Sequence, residues 1–304
     1  MSEAIKRWIF YFIEKTFPLW QRLGINITRN YYYSPIPDLR ELKDDIWTKH
    51  TELIGININE EKQLELLNLF NTQFKDEYDT FPRDKSDISN PYEYFVNNPA
   101  FGPVSGEILY CMIRQFKPKK IIEIGSGYST YCSVQAIRKN KEIEKNYDCD
   151  LIAIEPYPNN ILKSGFPGLS TLIKKNIQDV SLSEFKKLQN NDILFIDSSH
   201  VLKIGSDVQY EYLEILPRLK KGVLIHIHDI LLPANYYKEW VVKRQFFWNE
   251  QYLLQAFLTF NNNFEVLFAG SFLHFNHPEL LEKAFNTYNR KKRFSTSFWM
   301  RKIT

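Results

Sequence analysis

The chain has 304 residues, 44% of them apolar and 25% charged, with a formal charge of +3. That length allows one large domain or a domain with a substantial attachment, and the balance suits a globular protein with a full core. A charge this small gives no reason to expect a nucleic acid partner, and Cys111, Cys132 and Cys149, without CxxC spacing, argue against a disulfide framework or a zinc site.

The opening stretch, MSEAIKRWIFYFIEKTFPLW, sets Lys6 and Arg7 before a short apolar patch, as a signal peptide does. Glu14 and Lys15 end that patch early, and no small-residue cleavage site follows. Ile5, Trp8, Ile9, Phe12, Leu19 and Trp20 recur at near-helical spacing. This predicts a helix over 3–20, packed on the core or on a second subunit of a homo-oligomer. Peripheral membrane contact through Trp8, Phe10 and the basic pair is the second reading. No apolar run reaches the roughly 18 residues that span a bilayer, so a cytoplasmic chain without an integral membrane segment is expected.

Helical patterns follow at roughly 38–50 and 60–78, broken by loops such as NYYYSPIPD and YDTFPRDKSDISNP. Residues 1–100 thus read as a mainly helical N-terminal extension, either a lid over a substrate or an oligomer contact. From 101 the texture changes. A helix ends near Pro118, KIIEI reads as a buried strand closed by GSGYST, and a helix continues to about Lys139. CDLIAIEP, LSTLIKKN, NDILFID and KGVLIHIHD are further short strand-like runs. NFEVLFAG and STSFWMRKI, either side of a helix at 278–288, bring the total to about seven. Strands alternating with helices predict an α/β, Rossmann-like parallel sheet over 101–304 with helices on both faces. Such sheets bind ligands beyond the carboxyl ends of their strands.

In IIEIGSGYST a strand enters a glycine turn and then a helix; Gly125 and Gly127 permit a tight turn and close approach of a ligand to the main chain. Glu155 ends the next strand, where a carboxylate can take both hydroxyls of a ribose. Thr130 stands where a dinucleotide fingerprint has its third glycine, which argues against NAD and for a nucleoside cofactor without pyrophosphate. DILFIDSSH ends a strand on Asp197 with His200 three residues on. GVLIHIHDIL puts His226 and His228 on one strand face and Asp229 at the end. Imidazole, with an ordinary pKa of about 6.5, suits a base at neutral pH. His226, deeper in the strand, reads as a satisfied core histidine. In the aromatic segment after Asp229, Trp248 and Asn249 are substrate-side candidates, Asn249 also as a helix N-cap. Tyr33 and Ser34 are further candidates in the leader.

The ordered set IIEIGSGYST, AIEP, NIQDV, DILFIDSSH, GVLIHIHDI and FEVLFA resembles the class I S-adenosylmethionine (SAM) dependent methyltransferases, nearest the bacterial small-molecule and sugar O-methyltransferase type. The resemblance covers about 101–304, with YYYSPIPDLREL and NNPAFGPVSGEILY extending it upstream. It implies a seven-stranded sheet whose last strand is antiparallel. It implies SAM held by Glu123, by Gly125, Ser126 and Gly127 along the methionine part, and by Tyr128 and Ser129. Glu155 would hold the ribose, Asp179 would lie near the adenine, and Asp197 would border both ligands. It further implies that His200 is the general base for a small-molecule hydroxyl, and that Asp197 and Asp229 orient it or hold a divalent cation, Mg or Mn. His228 stands where the related enzymes have the first of two metal-binding acids, and Mg²⁺ prefers oxygen to imidazole. SAM-dependent methylation of nitrogen or carbon without metal, or a non-catalytic SAM-fold partner protein, are the competing readings.

Overall fold

The computed structural model describes residues 2–304. Seven strands form one sheet in the order β3-β2-β1-β4-β5-β7-β6, with β1 Lys120–Ile124, β2 Asp150–Ile154, β3 Thr171–Ile173, β4 Ile193–Ile196, β5 Leu224–Ile227, β6 Phe264–Ala269 and β7 Phe298–Lys302. The first five are parallel, and β7 runs antiparallel to both β5 and β6. All seven predicted strands are present.

Side chains alternate along each strand, so the sheet has two apolar faces and two cores. Ile121, Leu151, Ile193, Phe195 and Leu224 meet the helices Ser105–Phe116 and Tyr128–Ile143 on one side. Ile122, Ile154, Leu194, Ile196, Ile225 and Ile227 pack on the other. The chain reverses direction in strand order between β1 and β4, and the loops after β1, β2, β4 and β5 open on the same carboxyl edge. The three cysteines are buried and free.

Two compact units divide the chain: residues 1–48 with 237–247, and residues 49–236 with 248–304. The compact units thus part near residue 48, while the change of texture in the sequence falls near 100. Residues 60–101 belong with the sheet because their aromatic side chains have nowhere else to be buried. Phe70 packs 6.1 Å from Phe268 of β6, Tyr78 donates to the Ala284 carbonyl, and Gln63 accepts from the Ala269 amide. The helical pattern read over 38–50 yields only a short turn, Asp44–Trp47. In the first unit the helix Glu3–Arg22 forms as expected but buries none of its residues. Among the described residues, no helix is long and apolar enough to cross a membrane.

Candidate functional site

A cleft of about 340 Å³ opens at the strand-order reversal, between the loops after β1, β2, β3 and β4. Gly125, Glu155, Asn176, Ile177, Gln178 and Asp197 are among the residues that line it. Gly125 has φ +78°, and a Cβ there would overlap the Asp197 carbonyl, so only glycine lets the two loops touch. Next to it the Ser126 amide donates to Glu155 Oε2 at 3.2 Å, while the Tyr157 amide holds Glu155 Oε1 at 2.8 Å. The second carboxylate is thus clamped by backbone amides at the mouth of the glycine turn. Around Gly127 there is open space where a side chain would stand.

Glu123, in β1 two residues before Gly125, is buried with the Ser129 and Thr130 hydroxyls facing its carboxylate, and the Ser126 hydroxyl has no hydrogen-bond partner. Burial pushes the Glu123 carboxyl up to about 8 against the opposing hydrogen bonds of Ser129 and Thr130, with a smaller upward push from the charges of Asp197 and Glu155. Buried polar atoms without partners are costly, and the Ser126 hydroxyl is one, next in the chain to the cleft-lining Gly125. The donor set and the space fit a nucleoside with a charged amino acid tail. Asp179 is the next residue in the chain after one wall of the cleft. It sits exposed on the short turn Ile177–Asp179 and does not line the cleft; Asn176, Ile177 and Gln178 occupy that wall.

The other half of the edge is built from side chains. His200, in the loop after β4, has φ +60°, and Asp229, after β5, has φ +54°. Positive φ is uncommon outside glycine, and histidine and aspartate are among the residues that adopt it most readily. His200 Nδ1 lies 2.8 Å from Glu250 Oε2, and its Nε2 lies 3.3 Å from Asp197 and 3.8 Å from Asp229. The ring also packs on Trp248 at 4.5 Å. Burial opposes charge on this imidazole, but hydrogen bonds to Asp197 and Glu250 outweigh it and hold its pKa well above the ordinary value. Burial likewise pushes Asp197 up, and the charges of His228 and His200 bring it below the usual carboxylate value.

Asp229 accepts from the Thr296 hydroxyl at 2.9 Å. His228 Nε2 is 3.7 Å from Asp229, its ring faces Phe101 at 4.9 Å, and its Nδ1 has no partner. His226 is fully buried and stacked on Phe195 at 4.0 Å, with both ring nitrogens unpartnered, so the expectation of a satisfied histidine is half right: it is a core residue, but its polar atoms are not satisfied. Burial drives it well below its usual pKa, so it stands neutral.

Asp197 and Asp229 do not fit a resident divalent cation. The His200 ring stands between their carboxylates, and among the described residues no group of three or more His, Cys, Asp or Glu side chains is arranged to hold a metal. The imidazole occupies the position from which a cation would neutralise them.

Asn249 occupies the N-cap position of the helix Glu250–Leu258 without capping it. Its side chain instead accepts from the Leu202 amide at 2.6 Å and donates to the Leu202 carbonyl, while the Asn249 and Glu250 amides both donate to the His200 carbonyl. Trp248, Asn249 and Glu250 thus fix the loop that carries His200. Glu250 went unassigned in the sequence, where an acid in a helix's first turn looks like an ordinary exposed residue; it is in fact fully buried. Tyr33 belongs to the first unit, where it is exposed and edge-on to Tyr31 and Tyr32.

A family model described as a methyltransferase domain matches residues 122–230, from β1 to just beyond Asp229. An uncharacterized protein of Archaeoglobus fulgidus is 32% identical over 172 residues, which is 54% of this chain and 74% of its own length. Among solved structures, the apo-structure of CmcI-N160 aligns over 75% of this chain and 84% of its own, at 17% identity and a TM-score of 0.41. A putative protein-L-isoaspartate O-methyltransferase of Plasmodium falciparum, solved with S-adenosyl-L-homocysteine, covers 57% of this chain and 78% of its own, at 18% identity and a TM-score of 0.31. The matched segment contains the glycine turn, Glu155, Asp197, His200 and Asp229. The strand order with its antiparallel last strand is that of the class I methyltransferase fold, and residues 122–230 carry the match to a methyltransferase domain.

Proposed function

We propose that the enzyme methylates a hydroxyl oxygen of a small molecule, a sugar or secondary metabolite, with His200 as the general base. The observation that carries this reading is the position of His200. It is buried, it borders the residue that closes the cofactor cleft, and it is oriented from behind by Glu250. Bound SAM supplies the electrophilic methyl group and leaves as S-adenosylhomocysteine. As the acceptor oxygen bonds to the methyl carbon and the carbon–sulfur bond breaks, His200 takes the hydroxyl proton at Nε2. Glu250 holds the opposite ring nitrogen and stabilises the imidazolium that forms. Asp197 and Asp229 flank Nε2 and give the hydroxyl acceptors on either side.

Because neighbouring carboxylates raise the His200 pKa, the ring must lose a proton before it can accept one. The neutral, competent fraction therefore grows as pH rises, and turnover should increase above neutrality rather than peak below it.

The test uses SAM labelled in its methyl group with a panel of reducing sugars, polyols and phenols. Label should appear as an oxygen ether, and His200→Ala should lower turnover by roughly 10²–10⁴ while S-adenosylhomocysteine binding persists. Wild-type turnover in that variant, or label on nitrogen or carbon, would refute the reading.

A further inference from the structure

The helix Glu3–Arg22 is unusual in that none of its 20 residues is buried. One side, carrying Ile9, Phe10, Ile13, Phe17 and Trp20, is half-buried. A second apolar stripe stands in solvent: Ile5 is 53% exposed, Trp8 67%, Phe12 47% and Leu19 55%, with Leu23 at 63% just past the helix end. These positions are separated by three, four or seven residues, so their side chains line up along one side of the helix. Trp8 stacks on Phe12 at 5.8 Å, which keeps the stripe continuous. A contiguous apolar strip of this kind on a protein surface marks something that covers it.

The charges beside the stripe indicate what that is. Arg7, Tyr11, Lys15 and Arg22 form the adjoining row at helical spacing, with Lys15 lying 5.6 Å from the Tyr11 ring. The two acids of the helix, Glu3 and Glu14, lie four and seven residues from Arg7 at its end of the row, and each is paired elsewhere, Glu3 with Lys6 at 2.9 Å and Glu14 with Arg29 at 3.7 Å. Arg7 and Arg22 have no ion pair among the described residues, so the edge of the stripe is a run of uncompensated positive charge. Tryptophan and tyrosine favour the boundary between acyl chains and head groups, and arginine and lysine pair with head-group phosphates. At about 1.5 Å per residue the helix is roughly 30 Å long, and it is too polar to cross a bilayer.

We propose that this helix docks the enzyme on an anionic lipid surface. It lies in the plane of the membrane with Ile5, Trp8, Phe12, Leu19 and Leu23 in the acyl boundary and the Arg7–Lys15–Arg22 row against the head groups.

The experiment floats the full chain with phosphatidylcholine vesicles containing about 30 mol% phosphatidylglycerol, and with pure phosphatidylcholine vesicles. The chain should rise with the anionic vesicles and bind the neutral ones at least about tenfold more weakly. Trp8→Ala combined with Phe12→Ala should reduce anionic binding by roughly 30-fold. Lys15→Glu with Arg22→Glu should reduce it by a similar factor without affecting the residual neutral binding. Both pairs should keep wild-type S-adenosylhomocysteine affinity, which shows that the sheet-bearing unit is intact. A chain that stays with the buffer on both vesicle types overturns the proposal. So does a dimer in light scattering that the Trp8/Phe12 pair abolishes in the absence of vesicle binding, which would assign the stripe to a second copy.

Discussion

The two halves of the sheet's carboxyl edge are held by different means. On the side proposed for the cofactor, after β1 and β2, main-chain amides do the holding: Ser126 and Tyr157 grip Glu155, and Gly125 brings its loop against Asp197. On the acceptor side, after β4 and β5, side chains do it: Glu250, Asn249, Trp248 and Thr296 fix His200 and Asp229, both at positive φ. A backbone-built site tolerates side-chain changes but not an added Cβ. A side-chain-built site should fail by degrees as its supports are removed.

The sharpest way to break the first half is Gly125→Ala. The new Cβ would overlap the Asp197 carbonyl at a positive φ, with only backbone in the way and no flexible side chain to yield. Calorimetry should show S-adenosylhomocysteine affinity lowered by about 10²-fold or more, or a chain that no longer folds. Affinity within a few-fold of wild type would show that the loop contact is dispensable.

In the second half the matching change is Glu250→Gln. Glutamine keeps an oxygen for His200 Nδ1 but removes the buried negative charge that stabilises an imidazolium. Turnover should fall by about tenfold, and Glu250→Ala should fall further, towards the His200→Ala level. Cofactor affinity should stay unchanged in both, because Glu250 does not line the cleft. Adding Glu250→Ala to His200→Ala should cost little more, since a support without its base has nothing to position. Additive losses would mean that Glu250 acts only on the fold.

The same contrast explains what could be read from the sequence. The strands, the glycine turn, Glu155, Asp197 and His200 are local patterns: apolar runs, a glycine at a strand end, an acid three residues before a histidine. Glu250 is legible only through a contact with His200, 50 residues away, and nothing in its own neighbourhood distinguishes a buried carboxylate from an exposed one. Asp179 shows the opposite case. It is the first acid after the third strand and is exposed on the Ile177–Asp179 turn, while Asn176 and Gln178 line the cleft wall. Helices without strands read from the sequence as an attachment, and the aromatic residues of 60–101 join the core around β6 only through contacts distant in the chain.

A smaller effect sits at the inner end of the cofactor half. Glu123 titrates near 8 in the folded chain, against an ordinary value of 4.5. Between those values the folded carboxyl keeps a proton that the unfolded chain gives up. Its contribution to stability is therefore fully present below about 4.5 and lost as pH rises through 8. Urea unfolding of the ligand-free protein should show stability declining across that window, and Glu123→Gln should flatten the decline. An unchanged slope in the variant would mean that the carboxyl is solvated and ordinary.

The smallest expected effect is none at all, and it separates the two halves most cleanly. If a divalent ion bridged Asp197 and Asp229, prolonged treatment with a chelator would abolish turnover and Mg²⁺ or Mn²⁺ would restore it. The His200 ring lies between those carboxylates at 3.3 and 3.8 Å, so it already neutralises them from the place a metal would need. Turnover should survive chelation, while His200→Ala, which vacates that place, should become the only form of the enzyme whose residual activity responds to added Mn²⁺. A wild-type enzyme silenced by chelator would show that the ring swings aside when the acceptor binds, and that the acceptor half is completed by an ion rather than by its own side chains.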